Sequence, residues 1–263
     1  MFSNNLKIFN ALIRRDFKII RRRLKDSLIN NFIFVGLEAL LFYYFVPYVM
    51  GFDRALIPSI FLGSIIFMLP IIAFNYGITD VSDLSGNRFI DYKKSLPLPI
   101  NWFVGSYIIS YFIAIGIIFL PSLVIAKIIL GSFLDLSQMR IIPLILMCVA
   151  LILFFALFLL ISIFGPDTKH YFKNFWPRVL MPLMFLSPLW YTWKGTLKIS
   201  SKLSIFLLFN PFTYCVEGLR SALWGDELFL STYICILVLF TSVVFMIFVF
   251  RKVFVKRLNL IGS

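Results

Sequence analysis

Apolar positions follow two different patterns along this chain. In the first thirty residues they recur every third or fourth position. Leu6, Phe9, Ile13, Phe17, Ile20, Leu24 and Leu28 fall within an arc of roughly 100° on a helical wheel. Lys7, Arg14, Lys18, Arg21 and Lys25 lie on the other side, with Arg15 and Arg22 beside them. An apolar stripe opposite a basic face predicts an amphipathic helix lying in the membrane interface, although a coiled-coil seam shows the same single stripe. From residue 31 the pattern changes to long apolar runs, of a length that crosses a bilayer as helix. The predicted spans are 31–50, 56–78, 101–130, 141–164, 175–193 and 229–250. Pro70 predicts a kink in the second, and the overlong third, with Pro121 inside it, predicts a tilt or bend. Three prolines, Pro177, Pro182 and Pro188, crowd the fifth. The expectation is an all-α membrane protein, with an interfacial amphipathic helix over residues 1–30 and one six-span domain over 31–263.

Composition agrees: 61% of the residues are hydrophobic, with 32 Phe and 11 Tyr, well beyond ordinary soluble usage. The net charge of +13 would point to nucleic acid in a soluble protein. Here the basic residues gather at membrane ends, where they set orientation and meet lipid headgroups, so no nucleic-acid partner is expected. With both termini inside, eighteen of the 25 Lys and Arg fall on the inner side. That predicts a multi-pass protein of the cytoplasmic membrane with both termini cytoplasmic. The first thirty residues are too basic for a cleavable signal peptide, which leaves the first span as the insertion signal. Cys148, Cys215 and Cys235 are scattered and His170 is the sole histidine, so neither a disulfide framework nor a metal site is expected. Phe42, Tyr43, Tyr44 and Tyr48, and Trp190, Tyr191 and Trp193, read as interface anchors.

Chemistry enters at three places. Asp80, Asp83 and Asp91 lie in the polar interval 79–100. They admit a magnesium-dependent prenyl- or phosphoryl-transfer site, but Arg88, Lys93 and Lys94 offset their charge and no second acidic cluster exists. A solvated loop or a docking surface explains them as well. Glu38 is an ionisable group inside the first span and is a functional candidate by that fact. The stretch 210–225, NPFTYCVEGLRSALWG, opens with Asn210-Pro211, a fair start for a helix, and places Glu217 and Arg220 on one face. An ion pair, a gate or substrate contact, and a catalytic pair remain open for these two. No phosphate-binding loop and no nucleophile elbow occurs, so energised work needs a partner.

Two segments carry a family resemblance. Asn210-Pro211-Phe212-Thr213-Tyr214, followed by Glu217-Gly218-Leu219-Arg220 and Gly225, resembles the signature before the last span of type-2 ABC exporter permeases. Arg88-Phe89-Ile90-Asp91-Tyr92, leading to Ser95-Leu96-Pro97-Leu98-Pro99, resembles the loop that precedes their third span. The resemblance covers essentially the whole chain. It implies re-entrant short helices before the last span and a chain that is not an enzyme on its own. It also implies a partner ATPase that holds ATP and magnesium, no cofactor in this chain, and a second permease subunit, expected as another copy. Asp83, Arg88, Asp91, Tyr92, Lys93 and Lys94 would couple to the ATPase, with a smaller contact at 169–174. Glu38, Tyr43 and Tyr44 would line the pathway, and Asn210, Pro211, Glu217 and Arg220 would form an outer gate. Export of an amphipathic cargo by alternating access follows, either a lipid-linked glycan, which the basic interfacial helix suits, or a drug-like compound.

Overall fold

Every regular element among the described residues is helical. The computed structural model describes residues 2–50, 57–86, 96–131, 134–164 and 176–261. The first helix, α1 (Phe2–Leu40), runs without interruption from the amphipathic stretch into the first apolar run. A π-helical turn, Leu41–Phe45, then carries it into α2 (Val46–Met50). The chain continues with α3 (Ile57–Gly86), α4 (Ile100–Leu130) and α5 (Ile141–Phe164). A π-helical turn, Trp176–Leu180, leads to the single-turn α6 (Met181–Phe185). The short α7 (Trp193–Ile199) and α8 (Ser201–Leu207), then α9 (Pro211–Trp224) and α10 (Thr232–Ile261), complete the order.

Among the described residues, three helices are long and apolar enough to cross a membrane: Ile100–Leu130, Ile141–Phe164 and Thr232–Lys256. A shorter apolar stretch, Ile57–Ile71, begins α3. The predicted fifth span is not one helix. Its ladder breaks into a π-helical turn, one α-helical turn and a bent segment at 186–192, because each proline removes an N–H donor and crowds the preceding turn. Pro70 and Pro121, in contrast, sit inside continuous α3 and α4. The last helix starts at Thr232 rather than residue 229 and carries the basic tail onward as helix.

The partner of the amphipathic stretch is α4. Phe9 meets Trp102 edge-on with ring centroids 5.0 Å apart. The Ser110 hydroxyl donates to Asp16 at 3.2 Å. The Asn31 amide donates to the Ser122 hydroxyl at 2.6 Å and to the Ile118 carbonyl at 3.1 Å. Both partners advance together, so α1 and α4 run parallel, side by side. The line that α1 buries is Leu12, Ile20, Asn31, Val35 and Ala39, while Leu6 and Phe17 of the predicted stripe stay exposed. The stripe is therefore rotated relative to the sequence reading, because the two polar positions Asp16 and Asn31 find serine partners on α4 and join the contact face.

Helix α5 is the centre of the bundle and touches α3, α4, α9 and α10. Its positions Met147, Ala150, Leu151, Phe154, Phe155 and Leu157 are fully buried. At one end of the bundle, Tyr107 of α4 lies 5.1 Å from Phe164 of α5 and 5.6 Å from Phe254 of α10. This is the end that holds both the start of α1 and the end of α10, and it is called the terminal end below. At the opposite, loop end, the segments 134–140 and 225–231 meet.

Candidate functional site

The stretch 193–225 forms a helical hairpin that starts and finishes at the loop end. Each short helix carries a side-chain cap. Thr192 accepts from the Gly195 N–H at 3.0 Å, and Ser200 from the Leu203 N–H at 3.4 Å. The Asn210 carbonyl oxygen Oδ1 accepts from the Phe212 N–H at 3.0 Å, and its amide donates to the Leu183 carbonyl at 2.5 Å. Pro211 occupies the first helical position, where its missing N–H leaves no bond unmade. Two more bonds tighten the tip: Thr213 donates to the Leu207 carbonyl at 2.8 Å and Tyr214 to the Leu208 carbonyl at 2.9 Å.

The tip lies deep in the bundle. Phe212 sits against the rings of Phe154, Phe155 and Phe158, with centroids 5.7, 5.4 and 5.5 Å away. Phe154 is thirteen residues into α5, about 20 Å from the loop end at 1.5 Å per residue. Helix α9 then rises between α5 and α10. Gly218 permits the close approach, since a Cβ there would stand 2.6 Å from the Cys235 Cβ and 2.7 Å from the Met147 sulfur. Gly225 ends the helix at φ 83, a left-handed conformation that glycine adopts without a Cβ penalty.

Arg220 is the hub of this arrangement. It is fully buried, yet all of its N–H groups are directed at acceptors. Nε and Nη2 donate to the Ser59 carbonyl at 3.1 and 2.8 Å. Nη2 also donates to the Leu189 carbonyl at 2.6 Å, and Nη1 to the Pro188 and Tyr191 carbonyls at 2.5 and 2.7 Å. Glu217 Oε1 lies further off, at 3.4 Å. Glu217 is equally buried and accepts from the Trp193 N–H at 3.2 Å and the Leu230 N–H at 3.1 Å. A buried charge is tolerable only when its hydrogen-bonding capacity is met. Here the acceptors are mostly backbone carbonyls released by the proline-broken segment 186–192. The pair therefore ties α3, that segment, the start of α7 and residue 230 to α9. Gly63 completes the fit, because a Cβ there would overlap the Leu189 carbonyl and come within 2.9 Å of Arg220 Nη2.

A second latch closes the loop end. Arg140 donates to both Asp226 oxygens, at 2.5 and 3.2 Å, to the Ser221 carbonyl at 2.9 Å and to the Thr232 hydroxyl oxygen at 2.5 Å. Burial disfavours the Asp226 carboxylate, but the bonds from Arg140 and Thr232 outweigh it and hold the carboxyl below its usual range.

Glu38 lies elsewhere, on the α1 face that meets α3. It is half-buried and accepts from the Ser64 hydroxyl at 2.6 Å. It takes part in none of the ion pairs found among the described residues.

The structure thus places Asn210 and Pro211 at the tip of the hairpin and Glu217 and Arg220 further along α9, with Glu38 on the neighbouring side of α3. Tyr43 and Tyr44 lie in the π-helical turn after α1, and Asp80 and Asp83 on the last turns of α3, but the side chains of all four lie outside the described residues. Arg88, Asp91, Tyr92, Lys93, Lys94 and the stretch 169–174 lie outside the described residues entirely. No cluster of metal-binding side chains occurs among the described residues. The cage of carbonyls around Arg220 was missed by sequence reasoning, and the only signal for it was the run of prolines in 177–188. The Arg140–Asp226 latch was missed as well. Its signal was opposite charges at the two segments that the span order places on one side.

Comparison with curated proteins found no match. The family model for ABC-2 type transporters matches residues 8–224, a stretch that holds most of α1, the long interval between α3 and α4 and the hairpin through Trp224. The chain belongs to the ABC-2 type transporter family, as a membrane permease subunit.

Proposed function

We propose that this chain is the permease subunit of an ATP-driven exporter that moves an amphipathic compound, lipid-linked or drug-like, across the cytoplasmic membrane. The observation that carries the reading is the hairpin 193–225, whose fully buried Arg220 is held by carbonyls of α3 and of the broken segment 186–192. Such a piece turns back inside the bundle without exposing unmet backbone groups, which is the condition for irregular backbone at membrane depth. It serves as a re-entrant outer gate. Six spans with both termini cytoplasmic place the hairpin on the outer side, and the basic residues at the terminal end support that orientation.

Energy comes from a separate ATPase, which docks on the interval 79–100 through Asp83, Arg88, Asp91, Tyr92, Lys93 and Lys94, with a smaller contact at 169–174. ATP and magnesium reside on that partner. Nucleotide binding acts by favouring one of two permease conformations through differential affinity. Two permease subunits, here two copies of this chain, enclose a pathway lined by Glu38, Tyr43 and Tyr44. Membrane lipid bathes the outward faces, where Phe45, Tyr48 and Phe245 are exposed.

Replacing residues 87–94 with a Gly-Ser linker tests the coupling. The expected result is a permease that inserts normally but neither co-purifies with the ATPase nor transports. Transport by the purified chain in vesicles with no ATPase present would overturn the reading.

A further inference from the structure

Two observations around α3 point to the charge of the ligand. The first is the state of Glu38. From Ser27 of α1 to Thr79 of α3, the described residues carry no other Asp, Glu, Lys or Arg. Among the described residues, the one side chain that donates to Glu38 is Ser64, and its single hydroxyl proton is shared with the Phe61 carbonyl at 2.7 Å. A carboxylate has about four acceptor positions, so most of its capacity is unmet among the described residues. The Arg220 guanidinium, on the Gly63 side of α3, is taken up by carbonyls and Glu217. An intramembrane carboxylate without a resident cation is unfavourable, and a cation that arrives with a ligand would relieve that.

The second observation is an aromatic group one turn along α3 from the Ser64 that Glu38 bonds. Phe67 lies one turn from Ser64. At about 100° per residue it falls between the α3 face that meets Glu38 and the Gly63 face that meets Leu189. Its ring is 6.4 Å from Phe185 and 5.8 Å from Trp190, and those two rings are 5.5 Å apart. Phe67 and Trp190 are half-buried, and Phe185 is exposed. A carboxylate held by one turn of α3 and an aromatic group reached from the next turn are the two elements that recognise an organic cation.

We propose that Glu38, with Phe67, Phe185 and Trp190, forms a binding site for a lipophilic organic cation, a hydrophobic amine or quaternary ammonium in type. This narrows the cargo of the permease reading and rests on it. Binding by the purified permease is measured without nucleotide, so it stands apart from transport and ATPase association. The probes are tetraphenylphosphonium and the anion of the same shape, tetraphenylborate, followed by equilibrium dialysis and by quenching of tryptophan fluorescence.

The expected result is saturable binding of the phosphonium and much weaker binding of the borate. E38Q should weaken the phosphonium by ~10-fold or more, and E38D should retain most of the affinity. Trp190→Leu should weaken it by a further ~3-fold or more. Size-exclusion profile and melting temperature verify that each variant is folded. Unchanged phosphonium affinity in folded E38Q, or equal binding of both probes, would overturn the proposal. So would loss of subunit pairing in E38Q, which would assign Glu38 to a cation of the second copy. Failure here with ATPase association intact would leave the permease reading standing.

Discussion

Arg220 and Glu38 are both ionisable groups within apolar surroundings, both beside the first half of α3, and they are treated in opposite ways. Arg220 is fully buried and makes five hydrogen bonds to four backbone carbonyls. Glu38 is half-buried and has, among the described residues, one shared donor. The difference separates a charge that holds the fold from one that is available for a ligand. A saturated buried guanidinium fixes the relative positions of everything it touches. An unsaturated carboxylate fixes almost nothing, so its presence calls for another explanation.

The largest expected effect follows directly. Arg220→Leu leaves four carbonyls and the Glu217 carboxylate buried with no donor from this side chain, and should cost about 3–5 kcal/mol. R220K supplies one compact charge without the planar fork and should recover only part of that loss. Glu38→Gln keeps the Ser64 bond and should change stability by less than about 1 kcal/mol. Thermal melting of the three purified variants checks this. If E38Q melts as early as R220L, Glu38 is also structural and the comparison collapses.

A smaller effect should come from Gly63→Ala. The added methyl overlaps the Leu189 carbonyl, and backbone cannot swing aside as a side chain does. The cost should be about 1–3 kcal/mol. Because Leu189 is one of the Arg220 acceptors, G63A and R220K should be non-additive in a double-mutant cycle. Additive melting shifts would mean that the α3 contact and the guanidinium cage are independent.

How far this was legible from sequence differs by level. Helical class, the apolar runs and the start of α9 at Asn210-Pro211 were readable because each depends on local pattern: hydrophobic period, and a capping residue before proline. Glu217 and Arg220 were readable as a same-face pair, but their main partners were not. Those partners are carbonyls of Ser59, Pro188, Leu189 and Tyr191, and a backbone acceptor leaves no mark in the sequence. The face of α1 was misjudged for a related reason. Asp16 and Asn31 look like solvent positions until Ser110 and Ser122 of α4 are seen opposite them. The three prolines of 177–188 were visible, but their consequence, a broken segment that donates its carbonyls to Arg220, required the tertiary contact.

The smallest expected effect concerns the loop-end latch, which adds a contrast in exposure. Asp226 is bonded by Arg140 and Thr232 as closely as Glu217 is by its partners, but its side chain is 36% exposed and that of Arg140 33%. Water therefore screens the interaction, and the pair should contribute only some tenths of a kcal/mol, at most about 1. The sign is set by the depressed Asp226 carboxyl. The stabilisation is fully present above the unfolded carboxyl value of about 3.9 and is lost as pH falls through the lower folded value. Melting temperature should thus decline below about pH 4 slightly more in the native chain than in Asp226→Asn. The variant lacks the titrating group and should start from a slightly lower plateau at neutral pH. Arg220 shares no hydrogen-bond partner with this latch, so the acid-side difference that D226N makes should be the same in the R220L background as in the native one. If R220L erases it, the latch and the buried cage form one cooperative unit, and the loop end depends on the hub beneath it.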